Sequence, residues 1–353
     1  MPYVSMVMSI SQLGRYAHEN VARETWNLVS ASAKTATLAR PERARGVLTP
    51  KRTAVPAGRF TVTLAFLAIY VIWGSTYLAI WYAVASIPPL YTAGLRHAAA
   101  GMILLLGALA KGQRPTWPQI RASIVIGFLF FLVGHGTLHW AETQIPTGLA
   151  SLLIASEPIW VFLMACGAEK RWRMNGFLLS GVMLGLAGVG LLIGRDVWAA
   201  GRGAFLGALA CLIGAISWSA GIIYSRRSHL SGSPLLLSAL SLLAGSVMLL
   251  TTGTVLGEFR GFSVGAVPVR AWFALAYLVV FGSVIAFTAY NWLLEHYSPT
   301  LVATHTYVNP IVAVLLGWWL AGEHVSINVM ASAAMVIGAV FLVDRGMARF
   351  KNA

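Results

Sequence analysis

The sequence predicts an all-α integral membrane protein whose ten transmembrane helices form two inverted five-helix repeats. Three observations predict this fold: an apolar composition, ten apolar runs of spanning length, and a motif that occurs twice. Of the 353 residues, 58% are hydrophobic and only 10% are charged, whereas soluble proteins carry about 25% charged residues. Most of the chain is therefore expected to face lipid or other helices rather than water.

The first 59 residues differ in composition from the rest of the chain. The stretch ARPERARGVLTPKRTAVPAGR is rich in Arg, Pro and Ala and has no apolar period, which is typical of a disordered basic tail. The opening MPYVSMVMSI lacks a charged n-region and a small-residue cleavage site, so we do not interpret it as a signal peptide. The net charge of +14 is not concentrated on an amphipathic face, and no nucleic-acid partner is predicted.

The apolar runs begin at Val62, and each is long enough to cross about 30 Å of hydrocarbon at about 1.5 Å per residue. Turn residues or charges separate them, as in SIPPL, EKRWRM and AGEHVSIN. The predicted repeats cover 62–195 and 203–345, and a short cytoplasmic tail follows at 346–353. The ten predicted spans are 62–83, 90–110, 120–140, 146–167, 174–194, 203–225, 233–255, 270–293, 299–320 and 328–344.

Lys and Arg between the spans predict the orientation. With a cytoplasmic N-terminus, the inner connections and the C-terminal end hold 11 of these residues and the outer connections hold 4. Positive charge is enriched in cytoplasmic loops, so both termini are predicted to lie in the cytoplasm of a multi-pass inner-membrane protein. The outer four are Arg195, Arg202, Arg260 and Arg270; the inner eleven are Lys111, Arg114, Arg121, Lys170, Arg171, Arg173, Arg226, Arg227, Arg345, Arg349 and Lys351.

An internal repeat supports the count of spans. The pattern E-x-x-x-P-T-x-x-A occurs at 142–150 and again at 295–303, an offset of 153 residues. Further on, SEPIW at 156–160 matches VNPIV at 308–312. Because each copy holds an odd number of spans, the two copies are expected to lie upside down relative to each other, as in many secondary transporters.

A glutamate and a proline interrupt the fourth span at Glu157 and Pro158. Glu157 lies roughly 16 Å into the span by helix rise, where a charge costs ~2.5–3.5 kcal/mol on insertion scales. Pro158 removes a backbone donor and frees a carbonyl one turn earlier. Asn309 and Pro310 occupy the matching place in the ninth span, and paired interruptions of this kind indicate a binding site at the repeat interface.

Arg96 is the second charge predicted to lie within the membrane. It lies about six residues into the second span, close enough in depth to Glu157 for the two side chains to pair. One interpretation is a structural ion pair, and another is that Glu157 lines a cavity and binds substrate or a proton. The two interpretations overlap, because a pair can open during transport. Alternatively, Arg96 reaches the outer headgroups.

Three histidines and several aromatic residues are further candidates for the cavity wall. His135 and His139 are four residues apart and share one helix face, and His305 lies in the ninth span; without a third ligand nearby, no metal site is predicted. The same residues can instead be core or interface packing, and Ser75, Thr76, Ser217 and Ser219 can simply allow close helix approach. The remaining predicted cavity residues are Trp73, Thr76, Tyr77, Trp218, Tyr224, Tyr290, Asn291, Tyr307 and Asn309.

The stretches WGSTYLAI, PPLYTAGLRHAAAGMILLL, IPTGLASLLIASEPIWV, ISWSAGIIYSRR and YVNPIVAVLLGWWLAGEHV resemble the EamA-type branch of the drug/metabolite transporter superfamily. The resemblance covers about residues 62–345. It implies a ten-helix inner-membrane exporter of small metabolites, with a central cavity between two inverted repeats. Amino acids, purines and drug-like compounds are the substrates that this family implies.

The leading hypothesis is therefore a secondary transporter that exports its substrate by alternating access with proton coupling, and Glu157 is the expected proton-linked group. No Walker motif is present, which argues against ATP as the energy source, and no cofactor is predicted. The alternative is an integral-membrane enzyme acting on a lipid-linked substrate, with His135, His139 and Glu142 as its only candidate cluster. The expected partners are a small-molecule substrate and the lipid bilayer, and the sequence does not specify an oligomeric state.

Overall fold

The computed structural model describes residues 59–169, 175–193, 197, 200–228, 233–297, 302 and 305–351. All regular secondary structure in these residues is helical, and the predicted basic tail falls outside them. The helices are α1 (Arg59–Leu67), α2 (Trp73–Val84), α3 (Pro89–Ala110), α4 (Trp117–Ile126), α5 (Gly136–Ala141), α6 (Thr147–Ile154), α7 (Glu157–Glu169), α8 (Gly176–Leu192), α9 (Arg202–Arg227), α10 (Pro234–Val255), α11 (Val269–Tyr277), α12 (Ala286–His296), α13 (His305–Leu320) and α14 (Ile327–Lys351).

Seven helical stretches in this part of the chain are long and apolar enough to cross a membrane. Two shorter helices are also apolar, at Gly176–Leu192 and Ile327–Val343. Large apolar side chains such as Leu106, Met183 and Phe273 are exposed on the outside of the bundle, where lipid satisfies them. The protein is thus an all-α multi-pass membrane protein, while its arrangement as ten spans in inverted repeats stays a prediction.

Three of the long stretches contain π-helical segments, at Ala68–Ile72, Gly127–His135 and Leu278–Ile285. The first joins α1 to α2, the second joins α4 to α5, and the third joins α11 to α12. A π segment adds a residue per turn and is frequent at functional sites. The second and third begin 151 residues apart, close to the offset of the sequence repeat.

Helix packing pairs equivalent parts of the two sequence repeats. α3 packs along α10, and α8 packs along α14. α9 packs against the second π segment and against α6 and α7, whereas α2 packs against α11 and α13. Small residues allow this close approach: a Cβ on Gly94 would lie 2.7 Å from Leu250, and one on Gly101 would lie 2.9 Å from Leu243.

Two carboxylates cap helix N-termini at the end of the molecule where α3 and α6 begin. Glu323 accepts hydrogen bonds from the backbone N–H groups of Thr147, at 2.6 Å, and Gly148, at 3.1 Å. Glu258 accepts one from Leu90 at 3.0 Å. Both carboxylates belong to the second predicted repeat and both helices to the first, so these caps tie the two halves together.

The last helix, α14, continues to Lys351, into the segment 346–353 that the sequence assigns to a cytoplasmic tail. That assignment stays a prediction. The physical reason for the longer helix is packing against α8: the side chain of Asn175 donates to the Gly346 carbonyl at 3.0 Å, and Gly346 is buried against Leu178. Glycine has no side chain to separate the two helices at that point.

Candidate functional site

Arg96 lies on α3, seven residues after the proline that begins the helix, and is 4% exposed. Its guanidinium Nε donates a hydrogen bond to the Ser283 hydroxyl at 2.8 Å. Ser283 belongs to the third π segment, and is 187 residues away in sequence. This is the guanidinium's one hydrogen bond among the described residues, so its two terminal nitrogens are left for another ligand.

Gly282, next to Ser283, is the point at which three functional side chains meet. Its carbonyl accepts a hydrogen bond from Trp73 Nε1 at 3.0 Å. A Cβ at this position would lie 3.0 Å from Thr76 Cγ2 and 3.1 Å from an Arg96 terminal nitrogen. The absence of a side chain at 282 therefore lets α2 and α3 bring Trp73, Thr76 and Arg96 together.

Three aromatic rings extend the site away from Arg96. The Trp73 ring centroid lies 5.1 Å from those of both Tyr290 and His305, and the latter two are 5.7 Å apart. These distances are typical of favourable aromatic contacts. The rings come from α2, α12 and α13, so helices of both predicted repeats contribute. We name this group the Arg96 site; it consists of Arg96, Trp73, Thr76, Gly282, Ser283, Tyr290 and His305.

A second group, the histidine cluster, comprises His97, His135, His139 and Trp218. His135 Nδ1 and His97 Nε2 share a hydrogen bond of 2.8 Å, and His139 Nδ1 donates to the His135 carbonyl at 2.7 Å. The Trp218 ring stacks on His135 with centroids 5.0 Å apart. His97 follows Arg96 directly on α3, so the two groups are neighbours.

The Arg96 site and the histidine cluster are built in the same way. Trp73 and Trp218 occupy corresponding places in the predicted repeats, and each contacts the π segment of the other half. Trp73 donates to Gly282, whereas Trp218 stacks on Phe130 with centroids 4.3 Å apart. The hydroxyl of Ser217 adds a hydrogen bond to the Leu129 carbonyl at 2.8 Å.

The predicted pairing of Arg96 with Glu157 is wrong for this conformation. Within the described residues Arg96 donates to Ser283, and the carboxylate that acts on it electrostatically is Glu142. Glu157 is half-buried at the start of α7, and its carboxylate has no hydrogen-bond or ion-pair partner among the described residues. Helix rise gave the two side chains similar depths, but the helices rotate them toward different neighbours.

The two predicted helix interruptions differ from each other. The fourth span does break, at residues 155–156, immediately before Glu157 and Pro158. The ninth does not: α13 continues through Pro310. With its amide nitrogen turned toward the first span, Asn309 donates to the carbonyls of Ile69 and Tyr70, both at 3.2 Å. That contact, together with the close packing of Gly74 on Val312, holds the helix in line around Pro310.

Four further predicted residues have different surroundings. Tyr77 is buried in the large apolar core formed by α2, α5, α6 and α9. Tyr224 and Tyr307 are half-buried, and the side chain of Asn291 lies outside the described residues. The described residues contain no group of three or more His, Cys, Asp or Glu side chains able to hold a metal ion.

Sequence reasoning missed His97, Gly282, Ser283 and the capping role of Glu323. A signal existed for His97, since two polar residues stand together at 96–97 within an apolar run. None existed for Gly282 or Ser283, because both are ordinary small residues in membrane helices. Their importance comes from the π segment that turns them toward Arg96.

A polytopic helical bundle with a buried cation and an aromatic wall at the contact of its halves has the character of a membrane transporter. The chain belongs to the EamA-like transporter family, whose sequence model matches it twice, at residues 60–194 and 205–344.

Individual relatives agree with this assignment. The uncharacterized inner membrane transporter YedA of Escherichia coli is 36% identical over 291 residues, covering 80% of this chain and 90% of YedA. The uncharacterized transporter YoaV of Bacillus subtilis is 24% identical over 80% of this chain and 96% of its own length. The WAT1-related chloroplastic protein At3g02690 of Arabidopsis thaliana is 26% identical, over 81% of this chain and 70% of its own.

A known crystal structure shares the fold, with a TM-score of 0.57 and 21% sequence identity. The match covers 80% of this chain and 97% of the other. The family match and the named relatives identify the protein as a membrane transporter.

Proposed function

We propose that the protein is a secondary active transporter that exports small metabolites across the inner membrane by alternating access, with proton coupling. The carrying observation is the Arg96 site, where a buried guanidinium and an aromatic wall meet between the predicted repeats. Buried ionisable residues in membrane helices are rare and commonly serve a substrate or ion pathway. The match to the EamA-like transporter family and to a relative named as an inner membrane transporter supports the general class.

The chemistry of the Arg96 site favours a substrate with an anionic group and a planar or aromatic body. The free terminal nitrogens of Arg96 suit a carboxylate, which a guanidinium binds through two parallel hydrogen bonds. The rings of Trp73, Tyr290 and His305 offer stacking surfaces. Amino acids, purines and drug-like compounds remain the proposed classes, and those that carry an acidic group are favoured.

Glu157 is proposed to line the cavity as a proton-linked group. Its position at the start of α7, after the break in the fourth span, resembles the interrupted helices at transporter midplanes. The hydroxyl of Ser219 on α9 donates to the Ala215 carbonyl at 2.8 Å and lies 3.2 Å from the Glu157 carbonyl, so α9 packs directly on the start of α7. A Glu157→Gln variant in proteoliposomes is expected to lose the dependence of flux on a pH gradient; unchanged dependence would rule out this role.

The proposed localisation is the inner membrane, with both termini in the cytoplasm. Its support is the excess of Lys and Arg in the connections assigned to the inside.

A growth-rescue screen tests the transport function. The protein is expressed in a host challenged with toxic amino-acid and nucleobase analogues, and relief of toxicity together with a lower internal concentration identifies the substrate. Arg96→Gln is expected to abolish rescue against acidic analogues, whereas Arg121→Gln, a change of the same kind on the exposed face of α4, should leave it intact. Product formation without transmembrane flux would instead favour a membrane enzyme.

A further inference from the structure

A row of buried titratable groups follows one face of the third span and crosses to α3. His135 and His139 are four residues apart, and Glu142 follows His139 by three, so all three share a face. The row reaches α3 through the 2.8 Å hydrogen bond between His135 and His97. Chains of Glu and His side chains within a membrane are the usual material of proton relays.

Three members of the row have buried polar atoms without a hydrogen bond to any described residue. These atoms are the two carboxylate oxygens of Glu142, Nε2 of His139 and Nδ1 of His97. Glu142 is 2% exposed and His139 is fully buried. The backbone N–H of Trp81 faces the Glu142 carboxyl group, but neither oxygen accepts a bond of good geometry. A buried, unpaired carboxylate is strongly disfavoured, and it becomes neutral by taking up a proton.

Four other elements place charged or titratable groups against Glu142. The groups that interact electrostatically with Glu142 are Tyr77 on α2, Arg96 on α3, Cys211 on α9 and Glu323 in the segment before α14. Arg96 is the one cation in this set, and it also donates to Ser283. The Glu323 carboxylate is held by the N-terminus of α6, and its negative charge disfavours a second one on Glu142.

A cleft lies near this end of the row, although Glu142 itself is not among its lining residues. It has a volume of about 200 Å³ and is lined in part by Gln144, Ile145 and Glu323. Gln144 is two residues beyond Glu142 in the chain, and the Glu323 carboxylate acts electrostatically on Glu142. The other end of the row, at His97, adjoins the Arg96 site.

We propose that Glu142 is a proton-binding site of the transporter, from which the row His139, His135 and His97 leads to the Arg96 site. A proton from water adds to a Glu142 carboxylate oxygen, and it returns to water on release, so no other reactant takes part. The protonated form lowers the negative charge opposite Arg96 and leaves the guanidinium free for an anionic substrate. The coupling role rests on the proposed transport function, whereas the proton site itself does not.

Infrared spectroscopy of the purified full-length protein in lipid tests the site without knowledge of the substrate. Difference spectra are recorded while pH is raised from acidic to alkaline, and the carbonyl stretch of a protonated carboxylic acid is followed. We expect such a band to persist at neutral pH and to be lost in Glu142→Gln. The spectra are recorded in a Glu157→Gln background, because Glu157 is itself proposed to bind a proton and would add its own band. In that background Glu258→Gln, which removes a helix-capping carboxylate elsewhere, should retain the Glu142 band. His139→Gln should keep the band and shift its midpoint.

The outcomes separate the site from its role in transport. The proton site would be overturned if the Glu157→Gln background protein lacked the band at neutral pH, or if the band were unchanged when Glu142→Gln is added to it. Circular dichroism checks that the variant is folded. If the band belongs to Glu142, flux of the compound found by growth rescue is then measured with and without a pH gradient. If gradient-stimulated flux survives in Glu142→Gln, the role of Glu142 in proton coupling is overturned. If the growth-rescue screen finds no substrate, only the transport proposal is contradicted.

Discussion

The Arg96 site depends on a residue that contributes no side chain. Gly282 accepts the Trp73 indole hydrogen bond through its carbonyl, and it leaves room for Thr76 and for an Arg96 terminal nitrogen. The guanidinium is oriented by Ser283 at 2.8 Å. A buried cation held on one side by a neutral hydroxyl keeps most of its binding capacity for a ligand. The geometry at 282 therefore determines how the Arg96 guanidinium is oriented in the proposed site.

Replacing Gly282 by alanine is expected to reduce transport without preventing insertion. The added Cβ would lie 3.0–3.1 Å from Thr76 and Arg96, and relieving such crowding costs about 1–3 kcal/mol. If the guanidinium moves, substrate flux should fall roughly tenfold for each ~1.4 kcal/mol of substrate-binding free energy that is lost. Flux in proteoliposomes, normalised to the amount of inserted protein, provides the measurement.

Gly107→Ala is the matched control, because a Cβ at Gly107 on α3 would meet no atom within 4 Å. This variant should transport as the wild type does. Equal flux in the Gly282 and Gly107 variants would show that the space at 282 is unimportant.

At the scale of elements, π segments and helix caps place the functional groups. Each of the two longer π segments shifts the helix register where the other half's tryptophan contacts it. Glu323 then holds the start of α6, the helix that leads to the break before Glu157. Gly317 is equally important there, because a Cβ on it would collide with the Glu323 carboxylate. The element ends are thus fixed by side chains from the other half of the chain.

The Glu323→Gln substitution is expected to lower stability. A glutamine side chain accepts through one oxygen only, so it cannot serve the backbone N–H groups of Thr147 and Gly148 in the same way, and it lacks the charge that favours a helix N-terminus. Hydrogen bonds to charged groups contribute about 1.5–3 kcal/mol each. We expect a lower midpoint of thermal unfolding in detergent, followed by circular dichroism.

His324→Gln changes the exposed neighbour of Glu323 and should leave the midpoint unchanged. A Glu323→Gln protein as stable as this control would argue against the cap as a stabilising contact.

At the scale of the whole molecule, corresponding elements of the two predicted repeats meet each other. α3 lies along α10 and α8 along α14, while α2 and α9 each pack against the opposite half. This exchange of contacts is what an inverted duplication would produce. It also explains why the Arg96 site and the histidine cluster are both built from helices of both halves, so that movement of one half against the other would change them together.

The inverted arrangement predicts which connections share a side of the membrane. In a variant with Cys166 and Cys211 replaced by alanine, single cysteines at Lys111 and Gly265 are labelled with a membrane-impermeant reagent. Both positions are exposed, between α3 and α4 and between α10 and α11. We expect labelling of 265 from outside intact cells and of 111 only after permeabilisation. Labelling of both from the same side would contradict the predicted topology.

The sequence by itself determined the class of protein and where its helices lie. Apolar run length reports the thickness of the bilayer directly, so the predicted spans from 62–83 to 328–344 fall on the observed helices within a few residues at most ends. The resemblance to EamA-type transporters was confirmed by the family match. Depth and repeat symmetry alone selected a set of residues that the structure brings together, and their role in binding stays a prediction. They are Trp73, Thr76, Arg96, Tyr290 and His305.

Tertiary structure alone decided which side chains face one another. Helix rise gives depth, but contact also depends on rotation about the helix axis, and π segments alter that rotation without a mark in the sequence. For this reason Arg96 meets Ser283 rather than Glu157, and a glycine and a serine that looked like packing residues became part of the site. The same rotation left Glu142 buried without a hydrogen-bond partner among the described residues, where spacing could place it on a face but could not reveal its surroundings.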